Sequence, residues 1–326
     1  MSETVLRVED LRTHFFTRSG VVKAVDGVSF SVRKGETLGI VGESGSGKSV
    51  TALSILRMVS APAGKIVGGR ILLRDDDLLA KSEKEMVKIR GARISMILQD
   101  PMTSLDPLFT IGDQLAEPIR IHQRHGATSV EARVEEMLRL VKIPAPERRV
   151  HDYPHQMSGG MRQRIVGAIA LACQPELLIA DEPTTSLDVT IQAQFIALLR
   201  ELQQTLGLAM IIITHDFGIV AKICHRVAVM YAGRIVETAN VTTLFKRPAH
   251  PYTIALLKAL PRLGAEVERL DTIGGQPPDL RHLPKGCSFA PRCSRVMDIC
   301  RAEYPPQREL GDAHSSCCHL GENNEG

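Results

Sequence analysis

Nothing in the charge of this chain points to a polyanionic partner: its 326 residues carry 40 lysines and arginines against 37 aspartates and glutamates. So even a balance gives neither nucleic acid nor an anionic membrane surface a field to follow. No apolar run approaches the ~18 residues of a membrane-spanning helix. The opening Met1-Ser2-Glu3-Thr4-Val5 lacks the basic and apolar regions of a secretory leader, so a cytoplasmic location is expected. Internal repeats and low-complexity stretches are missing too, which leaves a globular chain, 44% hydrophobic, long enough for a large domain and an appendage. Cysteine is sparse before residue 287, with only Cys173 and Cys224, both read as small buried hydrophobes. The other five crowd between Cys287 and Cys318, and in a reducing cytosol such crowding suggests a metal site before disulfides.

Val5–Leu11 and Val21–Val32 alternate apolar and polar residues around a turn at Ser19-Gly20, the pattern of an antiparallel edge sheet. Short runs rich in Ile, Val and Leu recur at Leu38–Val41, Ile94–Leu98, Leu177–Ala180, Ala209–Ile213 and Val227–Tyr231, and fit buried parallel strands. Helical periodicity over Val130–Val141, Met161–Cys173 and Ile191–Leu206 supplies crossover helices. The expected fold is therefore α/β: a core over 1–240 with an antiparallel β subdomain and a helical insertion at about 107–165, in which the loop described next would make a P-loop ATPase core. A small cysteine-rich extension follows over 241–326, joined by a linker at Pro261–Pro284.

Between the run Leu38–Val41 and a helical stretch from Val50 lies Gly42-Glu43-Ser44-Gly45-Ser46-Gly47-Lys48-Ser49. Glycines at 42, 45 and 47 let backbone N–H groups turn inward, and the helix N-terminus adds its positive dipole end, so the loop suits a polyphosphate. Lys48 would reach the β- and γ-phosphates, and the Ser49 hydroxyl would hold Mg²⁺. Downstream, Leu177-Leu178-Ile179-Ala180 ends in Asp181-Glu182, where an α/β sheet presents its ligands. Asp181 suits the Mg²⁺ shell, and Glu182, one residue on, suits a general base for a water attacking the γ-phosphate. Ser158-Gly159-Gly160, opening the helix before that strand, makes a second anion site that would serve another subunit.

With Met157-Ser158-Gly159-Gly160-Met161-Arg162-Gln163-Arg164 in place, the sequence resembles the ATP-binding subunits of ABC transporters over about residues 5–240. The resemblance implies two subunits sandwiching two ATP molecules, each phosphate loop (Gly42 to Val50) facing the partner's Ser158–Gly160. It further implies that Gln99 contacts Mg²⁺ and water, that Ser186-Leu187-Asp188 joins the two halves, and that His215 contacts the γ-phosphate. Phe15 is the match to the adenine-stacking aromatic, with Phe16 the alternative. Met161 stands where the general signature has glutamine, a variant similar to peptide-importer subunits.

Arg247-Pro248-Ala249-His250-Pro251-Tyr252-Thr253 and Gly286-Cys287-Ser288-Phe289-Ala290-Pro291-Arg292-Cys293 resemble the C-terminal extension of dipeptide and oligopeptide (peptide/nickel) permease ATPases. Cys287, Cys293, Cys300 and then Cys317 or Cys318 are separated by five, six and sixteen or seventeen residues, too far for the paired spacing of zinc modules. A [4Fe–4S] cluster is the preferred reading, in line with the resemblance, with Zn²⁺ as the alternative. The family pattern favours Cys318 over Cys317. Because the extension lies more than a hundred residues beyond Glu182, loss of the cluster is expected to destabilise the C-terminal segment or its docking and to leave ATP binding largely intact. The resemblance implies an ATPase on the cytoplasmic face of the cell membrane that drives uptake of di- or oligopeptides. Its partners would be a second, paralogous ATP-binding subunit, two transmembrane permease subunits and an extracytoplasmic binding protein. Nickel, glutathione or an oligosaccharide remain alternative cargoes, and a soluble ABC ATPase acting on ribosomes or DNA is the rival class.

Overall fold

All five residues of Leu177–Asp181 are buried, which a strand tolerates when both faces of its sheet are covered. The computed structural model describes residues 3–98, 104–123, 127–185, 187–260 and 272–320. In it this strand runs parallel to Ile94–Ile97 on one side and Ala209–Thr214 on the other, with Ile94 opposite Leu177 and Asp181 opposite Ile213. The chain forms two compact units. One comprises Met1–Leu6, Val32–Thr37 and Leu73–Ile213; the other comprises Arg7–Ser31, Leu38–Leu72 and Thr214–Gly326.

In the first unit the expected helical insertion appears as Ile111–His122 and Ala127–Leu140, which pack on each other and on Gly159–Leu171. Val130, Val134, Met137, Leu138 and Val141 are buried together, the three- and four-residue spacing that lays one helical face on its neighbours. Val189–Leu206 follows, closed by Gly207 in the left-handed region at φ +60°, where a residue without Cβ ends a helix at no steric cost.

In the second unit the hairpin is longer than its alternating core: strands Thr4–Thr17 and Gly20–Arg33, with Gly64–Leu73 beside the first. A second sheet pairs Thr37–Val41 in parallel with Arg226–Tyr231, which pairs antiparallel with Arg234–Asn240. Two short strands of the extension, Ser315–Ser316 and Arg308–Glu309, continue this sheet beyond Arg234–Asn240. Tyr252 and Phe289 of the extension share one apolar core with Val41, Val227, Val229 and Tyr231. Residues on both sides of position 240 thus share one sheet and one apolar core. Among the described residues no helix is long and apolar enough to cross a membrane.

Candidate functional site

The phosphate loop sits between the buried strand Thr37–Val41 and the helix Lys48–Ile55. Gly42 and Gly47 are obligatory there. A Cβ on Gly42 would stand 2.1 Å from the Met230 carbonyl oxygen, and one on Gly47, at φ +104°, 2.2 Å from that of Ala24. Gly47 caps the helix with no side chain, and the first turn holds no acidic residue, so its N–H groups and dipole are left for an anion. The buried Lys48 ammonium donates to the carbonyls of Gly42 (2.8 Å) and Glu43 (2.9 Å). The Ser46 hydroxyl is buried and has no hydrogen-bond partner among the described residues, a donor in want of an acceptor. Ser44, Gly45 and Ser49 are exposed and Val50 half-buried. A cradle of inward backbone, one cation and hydroxyls of hard-oxygen type suits a Mg²⁺-bound triphosphate.

In the other unit, Asp181 is buried at the end of its strand and Glu182 follows with φ +45°. A side chain held in the left-handed region stores strain of order 1–3 kcal/mol, a cost found at functional positions. The Glu182 N–H donates to the Ile213 carbonyl (2.8 Å), and its carboxylate accepts from the Thr185 hydroxyl (2.9 Å). Ser158 caps the helix Gly159–Leu171, its hydroxyl accepting from the Met161 N–H at 3.3 Å, with Ser158 and Gly159 exposed. Gln163, whose part the sequence did not reveal, is buried on that helix and donates from Nε2 to the Pro183 carbonyl at 2.5 Å. It ties the helix to the turn just past Glu182. Asp188 caps Val189–Leu206 by accepting from the Ile191 N–H (3.0 Å).

His215 is exposed, one residue past Ala209–Thr214. Phe15 is half-buried, its ring edge against Gly64, whereas Phe16 is 47% exposed with the Lys65 ammonium 5.6 Å from its ring centre. Gln99 and Ser186 lie outside the described residues.

The extension brings Cys287, Cys293, Cys300 and Cys318 to one small cavity, which His250 and Phe289 also line. Cys317 faces away, onto a separate polar cleft with Arg12, Arg234 and Tyr304, as alternation along an extended chain requires. Burial raises the thiol pKa values of Cys287 and Cys293 and pushes that of Cys318 up to about 11. The cavity measures about 10 Å³, and among the described residues no three His, Cys, Asp or Glu side chains are placed to hold a metal ion. The metal expected at these cysteines is thus not supported by the arrangement itself. The extension also reaches the phosphate loop. Arg292, next to Cys293, makes a two-pronged ion pair with Glu43 of the loop, and Tyr252 holds the Glu43 N–H. Nothing local in the sequence signals that Arg292 has a partner 249 residues away.

The ABC transporter family model matches residues 25–185, and that of the oligopeptide/dipeptide transporter C-terminal region matches 236–300. A probable peptide ABC transporter ATP-binding protein of Sinorhizobium fredii is 53% identical over 318 residues, spanning 97% of this chain and 95% of its own. The chain belongs to the ATP-binding proteins of peptide ABC transporters. The dipeptide transport ATP-binding protein of Bacillus subtilis is 51% identical over 98% of this chain and 95% of its own length. Among solved structures, a dimeric ATP-binding cassette in a post-hydrolysis state with ADP and phosphate superposes with a TM-score of 0.65 at 25% identity. That match covers 72% of this chain and 98% of the other. A cassette of a Clostridium perfringens ABC transporter complex gives a TM-score of 0.65 at 28% identity, covering 75% of this chain and 92% of that one. The cassette fold, α/β with an antiparallel β subdomain and helical parts, is therefore that of an ABC ATPase. The family models divide the chain by motif where the fold joins it, since Tyr252 and Phe289 of the second model's span share one apolar core with Val41, next to the phosphate loop.

Proposed function

We propose that this peptide-transporter ATPase hydrolyses ATP to drive uptake of di- or oligopeptides through two membrane subunits, bound at the cytoplasmic face of the membrane and fed by an external binding protein. The observation that carries the reading is the phosphate loop. Its two sterically enforced glycines, uncapped helix N-terminus, buried Lys48 and unpartnered Ser46 hydroxyl form an anion cradle, in a chain that shares the C-terminal region of peptide transporters. Lys48 and the loop amides hold the phosphates and Phe15 the adenine. Ser49, Asp181 and Gln99 would hold Mg²⁺, which supplies charge neutralisation between the β- and γ-phosphates. Glu182 accepts a proton from the attacking water, with His215 beside the γ-phosphate. Ser158, Gly159, Gly160 and Asp188 act on the nucleotide of a second, paralogous ATPase subunit. The exposed Leu108, Phe109 and Ile121 suit contact with the permease subunits.

Cys287, Cys293, Cys300 and Cys318 are proposed as ligands of a [4Fe–4S] cluster because they line one cavity from which Cys317 is turned away; that cavity would have to open to admit the cluster. Such a cluster takes one thiolate per iron, so its sulfurs stand apart instead of converging on a single ion. The transport reading is tested by assembling the chain with its cognate membrane subunits in liposomes. Binding protein loaded with peptide should stimulate ATP hydrolysis, and Glu182→Gln should lower turnover by about 10²- to 10⁴-fold while ATP still binds. Stimulation by nickel or an oligosaccharide instead of peptide would reassign the cargo, and near wild-type turnover in Glu182→Gln would remove the base.

A further inference from the structure

Glu43, the second residue of the phosphate loop, has all its polar groups held. Its carboxylate takes a fork from Arg292, Nη1 to Oε2 at 2.7 Å and Nη2 to Oε1 at 2.9 Å. Its N–H donates to the Tyr252 hydroxyl at 2.8 Å, and its carbonyl accepts from Lys48 at 2.9 Å. Arg292 and Tyr252 both come from the C-terminal extension. The Arg292 side chain is only 4% exposed and that of Glu43 26%. Arg292 also donates from Nε to the Gly274 carbonyl (3.0 Å), from Nη2 to the Ile273 carbonyl (3.3 Å) and from Nη1 to the Tyr231 hydroxyl (3.3 Å). Those contacts give each of the five guanidinium N–H groups an acceptor, so the fork has one orientation available. Tyr252 is fully buried and packs by its ring on Tyr231 (4.5 Å between centres) and Phe289 (5.3 Å), which fixes its hydroxyl.

We infer that Arg292 and Tyr252 of the extension are positioning residues for ATP binding, pinning the start of the phosphate loop through Glu43. Two physical effects run through the same contact. The fork and the hydroxyl fix the main chain at Glu43, whose carbonyl anchors the lysine that meets the phosphates, so less order remains to be imposed when nucleotide binds. The guanidinium also cancels a carboxylate that would otherwise repel a triphosphate at short range in a partly desolvated site. Neither residue touches the nucleotide in this account; each acts through Glu43. A fork is specific to arginine, because an ammonium cannot satisfy both carboxylate oxygens in one plane.

The inference rests on the ATP-binding reading, and one experiment separates the two. MgATP affinity of the full-length chain is measured at equilibrium by competition with a fluorescent ATP analogue, for wild type and variants. If the wild-type chain binds no MgATP, the reading itself falls, and this inference with it. If it binds, Arg292→Gln should raise Kd by about 10-fold, the loss of a charge-assisted contact worth about 1.4 kcal/mol. Arg292→Lys should fall between the two, and kcat of the assembled complex at saturating ATP should stay within about twofold, since the chemistry is not touched. In a Glu43→Gln background the same Arg292→Gln change should alter Kd by less than about twofold, because the coupling has already been removed. A wild-type Kd in Arg292→Gln, or an equal effect in both backgrounds, overturns the inference. Should Arg292→Gln fail to fold, Tyr252→Phe decides: it removes one oxygen from a packed ring and should raise Kd about two- to fivefold through the lost hydrogen bond. An unchanged Kd there overturns the inference equally.

Discussion

Lys48 shows how one residue serves two states of the phosphate loop. Its buried ammonium now lies on two neutral carbonyls, those of Gly42 and Glu43. An ionised phosphate in the cradle offers the same donor a charge-assisted bond about twice as strong. Exchange of partners is then favourable, and the energy gained is specific to nucleotide. Lys48→Ala removes this exchange and should raise the Kd for MgATP by about 10- to 100-fold, the equivalent of a hydrogen bond to a charged group. An unchanged Kd in the full-length chain would assign the affinity to the backbone amides alone. The loop was legible in the sequence because a cradle of this kind is built from contiguous residues whose types the geometry dictates: no side chain fits at Gly42 or Gly47. Gln163 was not legible, since a buried glutamine reaching the Pro183 carbonyl has no local pattern that distinguishes it from an exposed one.

The helix Pro251–Lys258 depends on an unusual cap. His250 accepts the Tyr252 N–H at Nδ1 (3.0 Å), so this nitrogen must carry no proton, and the ring is buried. Burial depresses the His250 pKa to about 4, against the opposing pull of Glu237. The folded value lies below the unfolded one, so the neutral ring's contribution is complete above pH ~6.5 and is lost as pH falls from ~6.5 towards 4. The span corresponds to a contribution on the order of 3 kcal/mol. Hydrogen exchange of the Tyr252 amide should therefore accelerate between pH 7 and pH 5, after correction for intrinsic rates. His250→Asn, which caps through an oxygen that does not titrate, should flatten that dependence. If the slope survives the substitution, the His250 cap is not its source. Elements with a clean period were readable to within a few residues, as with Leu177–Ala180 for the observed Leu177–Asp181. The strand Gly64–Leu73 went unread because Gly68 and Gly69 interrupt its alternation. The strands Arg308–Glu309 and Ser315–Ser316 went unread because they are two residues long and exist only by adding to the edge of Arg234–Asn240.

At the scale of the whole molecule, the sequence divides into a nucleotide cassette and an appendage, but the fold weaves them together. The sheet next to the phosphate loop ends in strands of the extension, the core beneath it includes Tyr252 and Phe289, and Arg292 grips Glu43. These contacts bridge up to 249 residues, a separation across which composition and periodicity carry no signal. One backbone step from Arg292 is Cys293, so the proposed cluster and the phosphate loop are braced by adjacent residues. Protein purified without oxygen should be brown and should contain iron with acid-labile sulfide. Cys287→Ser, Cys293→Ser, Cys300→Ser or Cys318→Ser should each bleach it, whereas Cys317→Ser, which lines the separate polar cleft, should keep the colour. Because a cluster is held by thiolates, loading must expel the thiol protons, and the cluster should be lost more readily as pH falls. Cys293→Ser should also weaken MgATP binding more than Cys318→Ser does, since it loosens the segment that carries Arg292. Colourless protein with stoichiometric zinc would replace the cluster by a single ion. Colourless protein without metal would leave a thiol-lined core, with the Arg292–Glu43 contact still to be tested on its own substitutions.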